Sequence, residues 1–184
     1  MKILKKNNFI ESIANALQYI SYYHSEDFIL AMRRAFEVEK SPVAKDAISQ
    51  VLTNSKLSAF NNRPICQDTG IVTVFVKQGM DLKWDSDKTI EEMVNQGVRN
   101  AYLDKGNPLR ASIVKDPISD RLNTKDNSPA VVHISLVPGD NLDISIAAKG
   151  AGSENKASLG MLNPSDSIVD FILDEIPKMG AGWC

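Results

Sequence analysis

The chain is 184 residues long, 43% hydrophobic and 24% charged, enough apolar material to fill the core of one domain, or of one large domain with an appended subdomain. Its 21 basic and 23 acidic residues are spread along the sequence and leave a formal charge of -2, so no basic field exists to hold a phosphate backbone and nucleic acid is not an expected partner. Apolar residues nowhere run for the roughly 18 positions a membrane span requires, and Asn7, Asn8, Glu11, Ser12 and Asn15 interrupt any signal-peptide core; the expected setting is a reducing cytoplasm in which Cys66 and Cys184 are thiols.

Asn8 followed three residues later by Glu11 has the form of a helix start, and Ile10, Ile13, Leu17 and Ile20 recur at helical spacing, which predicts a helix over residues 9–22. Ser25, with Glu26 and Asp27 behind it, opens a second helix carrying Phe28, Ala31, Met32, Ala35 and Phe36 on one face. His24 falls in the connector between them and reads as a solvated residue. Ser41 and Pro42 supply a cap and a first-turn proline for a third helix, whose inner stripe is Ala44, Ala47, Ile48, Val51 and Leu52. Residues 1–59 form a helical subregion that reads most simply as scaffold.

Composition changes over residues 60–184. Asn61-Asn62-Arg63-Pro64 is a loop, Ile65-Cys66-Gln67-Asp68-Thr69-Gly70 follows it, and the β-branched run 71–76 predicts a buried strand. Residues 87–103 predict an amphipathic helix through Ile90, Val94, Val98 and Ala101, ended by Gly106-Asn107-Pro108. Residues 109–114 predict a strand with Arg110 near its start, and 116–128 an exposed polar loop. The runs 130–137 and 142–148, about Pro138-Gly139-Asp140-Asn141, predict a β-hairpin; His133 alternates with apolar neighbours there and reads as a hydrogen-bonded, half-buried residue rather than a ligand. Asn163-Pro164-Ser165-Asp166 caps a last helix through Ile168, Val169, Phe171, Ile172 and Ile176, which Pro177 stops. Helices first and strands later, with hairpin chemistry, predict an α+β fold: N-terminal helices packed on a mixed, largely antiparallel sheet, in a single domain over 1–184. The close on Trp183-Cys184, with no polar tail, reads as a truncated polypeptide.

Chemistry concentrates at Cys66, where a thiol is set beside an amide, a carboxylate, a hydroxyl and a glycine between a proline and an apolar run. Asp68 serves as an acid, a base or a turn cap. Arg110 either clamps a carboxylate through its planar fork or is an ordinary surface arginine. The loop after the hairpin fails the dinucleotide pattern because residue 155 is Asn, and it lacks the Walker Gly-Lys-Ser/Thr. Lys149, Ser153, Asn155 and Lys156 still offer donors to an anion; the alternative is a tight turn after a strand. The two cysteines are too distant for a Cys-x-x-Cys zinc site and too few to hold an iron-sulfur cluster by themselves; on composition alone they are two buried thiols.

In order along the chain, Arg63-Pro64-Ile65-Cys66-Gln67-Asp68-Thr69-Gly70, Leu109-Arg110-Ala111-Ser112, Lys149-Gly150-Ala151-Gly152-Ser153-Glu154-Asn155-Lys156, Met161-Leu162-Asn163-Pro164-Ser165-Asp166 and Met179-Gly180-Ala181-Gly182-Trp183-Cys184 resemble the α subunit, or N-terminal half, of the class I iron-sulfur fumarate hydratases and the related L-tartrate dehydratases. The ordered set, rather than any one piece, carries the resemblance. It implies reversible hydration of fumarate to (S)-malate, with L(+)-tartrate dehydration as the alternative. A reading of another class is a non-catalytic fragment or interaction module with inert thiols. The resemblance further implies a 4Fe-4S cluster held by three cysteines with one iron open. Cys66 and Cys184 resemble two of the ligands; the third is expected beyond residue 184, so this fragment alone is expected to hold an incomplete cluster or none and to be inactive. By the same resemblance Gln67, Asp68, Arg110, Gly150, Ser153, Glu154, Asn155 and Lys156 contact the dicarboxylate, with Asp68 the candidate proton donor to the leaving hydroxyl. A β subunit or C-terminal half is expected to supply the base, in a homodimer or an α/β assembly.

Overall fold

The computed structural model of the chain describes residues 3–66, 69–150 and 157–179. In chain order these form β1 (Ile3–Lys5), α1 (Lys6–Tyr22), α2 (Glu26–Val38), α3 (Pro42–Asn61), β2 (Ile71–Gly79), β3 (Lys83–Asp85), α4 (Ile90–Tyr102), β4 (Val131–Val137), β5 (Leu142–Lys149) and α5 (Ile168–Met179). No helix among the described residues is long and apolar enough to cross a membrane.

The core follows from period-2 alternation in β2. Val72, Val74 and Val76 are fully buried and share one cluster with Phe9, Ile13 and Leu17 of α1 and Met93, Val94 and Val98 of α4, so two helices cover one face of the sheet. Gly97 lets these helices approach: a Cβ there would lie 2.7 Å from the Ile13 Cβ and 2.9 Å from the Ile10 carbonyl oxygen. A capping box starts α4, with Thr89 Oγ1 accepting from the Glu92 N–H and the Glu92 carboxylate accepting from the Thr89 N–H. The helix predicted from Asp87 therefore begins three residues later, at Ile90.

The mixed sheet is present, but it is not largely antiparallel. Its strands run in the order β4-β2-β5, with β2 parallel to β4 and antiparallel to β5; β1 and β3 form a separate parallel pair. The predicted hairpin at 130–148 is thus a split one. Neighbouring strands lie about 4.8 Å apart, and the Pro138–Asn141 connection is long enough to arch over the end of an intervening strand. Gly79 ends β2 under that arch. Its N–H donates to the Asn141 carbonyl at 2.7 Å, and an added Cβ would meet the Gly139 oxygen at 2.3 Å. Alternating apolar residues in β4 and β5 look alike whether these strands pair with each other or with a third.

The N-terminal helices do not all lie on the sheet. Only α1 does, its other core partner α4 coming from the middle of the chain, while α2 packs on α3 and buries no residue. On α3 the buried residues are Ser55 and Ser58, and Val51 of the predicted stripe is 39% exposed. His24, expected to be solvated, hydrogen-bonds Ser55 Oγ at 3.0 Å and stacks on Phe28. His133, expected to be half-buried, is exposed and stacked on Phe75 with ring centres 4.9 Å apart. At the start of α1 the cap is Lys5, with no side-chain bond, because β1 runs directly into the helix and leaves Asn8 and Glu11 inside it. Pro177 lies within α5 rather than ending it; in the last turn a proline removes one bond without stopping the final residues. Ser167 Oγ, which accepts from the Asp170 N–H, is the cap of this helix.

Candidate functional site

The loop carrying Cys66 is fastened on both sides. Asn62, in the left-handed region at φ 48°, ends α3, and the Arg63 N–H reaches back to the Ser58 carbonyl. Ile65 donates its N–H to the Ser21 carbonyl at 2.9 Å and accepts from Asn54 Nδ2 at 2.9 Å. Cys66 follows, half-buried, at the border of two concavities. The larger, about 540 Å³, is lined by Asn61, Asn62, Arg63, Pro64, Gly106, Asn107 and Pro108 beside Cys66. The smaller, about 150 Å³, is lined by Ile20, Ser21, Ile65, Thr69, Ala148 and Gly150 beside Cys66. Among the described residues of these linings the one charged side chain is Arg63.

Gly70 closes the loop against β5. Its φ is +61°, a conformation that disfavours any Cβ, and an added Cβ would fall 1.5 Å from the Lys149 carbonyl oxygen and 2.6 Å from the Gly150 Cα. The close backbone approach brings the Lys149-Gly150 segment beside the Cys66 loop.

Residues 109–114 are not a strand. Leu109 and Ala111 pack on the core, Arg110 between them is exposed, and the backbone of the segment is satisfied chiefly by side chains from elsewhere. Thr69 Oγ1 donates to the Arg110 carbonyl. Asn123 Nδ2 donates to the Ala111 carbonyl at 2.7 Å, and only Val114 forms an isolated bridge, to Asn123. Asn127 Oδ1 accepts from the N–H groups of Ser112, at 2.7 Å, and Ile113, at 3.2 Å, while its Nδ2 donates to the Gly70 carbonyl at 3.0 Å.

Asn127 lies in the stretch expected to be an exposed loop, yet it is 0% exposed. Its neighbour Asp126 accepts from the Ser128 N–H and hydroxyl at 3.0 and 2.9 Å. Burial pushes the Asp126 carboxyl up, but those bonds and the Arg99 guanidinium outweigh it and hold the group below the ordinary carboxylate range. The sequence offered a turn signal there, Asp-Asn-Ser-Pro, but nothing to mark the middle residue as buried.

Of the residues predicted for the site, Cys66 and Gly150 meet at the smaller concavity and Arg110 joins them through its backbone. Gln67, Asp68, Ser153, Glu154, Asn155, Lys156 and Cys184 lie outside the described residues.

A family model described as "Fumarate hydratase (Fumerase)" matches residues 10–184. The chain belongs to this family. It is 33% identical over 169 residues to a Methanocaldococcus jannaschii protein named "Putative L(+)-tartrate dehydratase subunit alpha", covering 88% of this chain and 58% of that protein. It is 31% identical over 175 residues to fumarate hydratase 2 of Leishmania major, covering 92% of this chain and 30% of that protein. It is 25% identical over 183 residues to the L(+)-tartrate dehydratase subunit alpha of Escherichia coli K12, covering 97% of this chain and 59% of that protein. The chain thus spans less than two thirds of the length of these relatives. The resemblance carried by the Cys66, Arg110 and Lys149 segments is upheld at the family level.

Proposed function

We propose that this chain is the α-type part of a class I fumarate hydratase, which adds water reversibly to fumarate to give (S)-malate in the cytoplasm. One observation carries the reading: three segments far apart in sequence, at Thr69–Gly70, Arg110–Ser112 and Lys149–Gly150, converge on Gly70 beside Cys66. A dicarboxylate has two negative ends to be balanced. Arg110 pairs with one of them through two parallel N–H donors, and Gly150, with the Ser153–Lys156 stretch, lines the pocket with backbone and side-chain donors. Gln67 orients the substrate, and Asp68 delivers a proton to the departing hydroxyl when malate is dehydrated.

The residues present fit an iron-sulfur cluster as far as they go. A half-buried thiol borders two concavities, and Cys66 with Cys184 would be two of its three ligands. When bound, such a cluster supplies Lewis acidity at its open iron. The third ligand and the catalytic base belong, on this reading, to a β subunit or C-terminal half. Ile168, Val169 and Leu173 of α5, each more than 60% exposed, support a covering partner of that kind. L(+)-tartrate dehydration is the second reading, favoured by the names of two of the three relatives reported above.

The test is turnover of both diacids by the complex purified anaerobically through a tag on this chain, together with its iron and acid-labile sulfide content. Malate formation from fumarate is expected to exceed tartrate dehydration, and Cys66→Ser is expected to lower iron content and abolish both activities. Faster tartrate turnover would exchange the two readings. A Cys66→Ser complex with its iron and sulfide intact would instead favour a module with inert thiols.

A further inference from the structure

Resting on the proposed diacid chemistry, we infer that Asn127 is a positioning residue: it sets where Arg110 stands relative to the Cys66–Gly70 loop, and hence how one substrate carboxylate is gripped. The loop end at Gly70 is fixed by the sheet, since Ile71 already pairs with Lys149. The Arg110 segment has no such ladder. Its place depends on side chains that cross the gap, and Asn127 touches both sides at once: Gly70 on one, Ser112 and Ile113 on the other.

The chemistry of the side chain explains why an amide stands there. Two N–H groups aimed at one atom identify it as the carboxamide oxygen, which leaves the NH₂ to donate to the Gly70 carbonyl. Aspartate would keep the acceptor and set a carboxylate against that carbonyl, and alanine would strip both functions. Asn127 also adopts φ 58°, a left-handed conformation that asparagine tolerates better than most residues. Thr69 crosses the same gap from the loop side, with its hydroxyl on the Arg110 carbonyl. Buried and fully engaged, such a link fixes the backbone that carries Arg110 against the loop end at Gly70.

Steady-state kinetics on the anaerobically purified complex tests this, with Asn127→Asp, Asn127→Ala, Arg110→Lys and the corresponding double variants. Asn127→Asp is expected to raise KM for the preferred diacid roughly 10- to 100-fold, the range that losing one buried hydrogen bond allows, with a smaller change in kcat. In the Arg110→Lys background the same substitution is expected to change KM less than about threefold, because an element acting through Arg110 loses its effect once the arginine is gone. Amide exchange supplies a readout independent of turnover: Asn127→Ala is expected to expose the Ser112 and Ile113 N–H groups at least about tenfold while leaving Val74 protected. Independent losses in the double variants, an unchanged KM, unchanged exchange at Ser112 and Ile113, or loss of the fold in both Asn127 variants would each overturn the inference while the wild-type complex still turns over a diacid. A wild-type complex that acts on neither diacid would overturn the proposed function, and this inference with it.

Discussion

At the scale of single residues, backbone geometry decides more here than side-chain identity. Gly70 stands where β5 passes so closely that a methyl group has no room, and its φ is one that other residues adopt at a cost. Gly70→Ala is therefore expected to destabilise the chain by on the order of 3 kcal/mol or more, read as a lowered urea midpoint. Local fitness of alanine cannot offset this, because the obstruction is the Lys149 carbonyl rather than the end of a flexible side chain. Cys66 and the residues after it were recognisable in the sequence because unlike chemistries stood together. Asn127 was not, since a polar residue inside a polar stretch carries no mark of burial; only its partners at Gly70, Ser112 and Ile113 reveal it.

Among the elements, the α1–α4 crossing holds one side of the sheet, and Gly97 sets its depth. Alanine is intrinsically the better helix former by about 1 kcal/mol, so an isolated α4 would gain from Gly97→Ala. In the folded chain the new methyl would press on Ile13 and on the Ile10 carbonyl, and overpacking of this kind costs about 1–3 kcal/mol. The expected outcome is net destabilisation by chemical denaturation, with the direction opposite to the propensity scale. Helix positions were legible because burial at a 3.6-residue period leaves a pattern, as in Ile13 and Leu17 of α1 or Val94 and Val98 of α4. Strand partners were less so. The four-residue connection at 138–141 suits a simple hairpin, and the place of β2 between its arms follows from the buried valines and from Gly79, which no local window contains.

Over the whole molecule, pH acts on the attachment of α2 to α3 through His24. Burial lowers its pKa below the ordinary imidazole value, so the unfolded chain binds a proton more readily than the folded one. Stability from this group is present above about pH 6.5, the unfolded value, and is lost as pH falls through the lower folded value. The urea midpoint is expected to drop on acidification from pH 7.5 to 5, and His24→Gln is expected to flatten the His24-dependent part of that slope. The sequence by itself determined the mixed helix-and-strand character, most helix positions and the family, together with the segments that carry the resemblance to it, because those properties reside in the order and spacing of neighbouring residues. Only the tertiary structure decided that β2 divides β4 from β5, that Arg110 hangs from an irregular segment rather than a strand, and that Asn127 and Gly70 join the three segments. Those facts depend on hydrogen bonds and close approaches between residues distant in the chain, such as Asn127 and Gly70, and a linear sequence does not say which of its distant groups will meet.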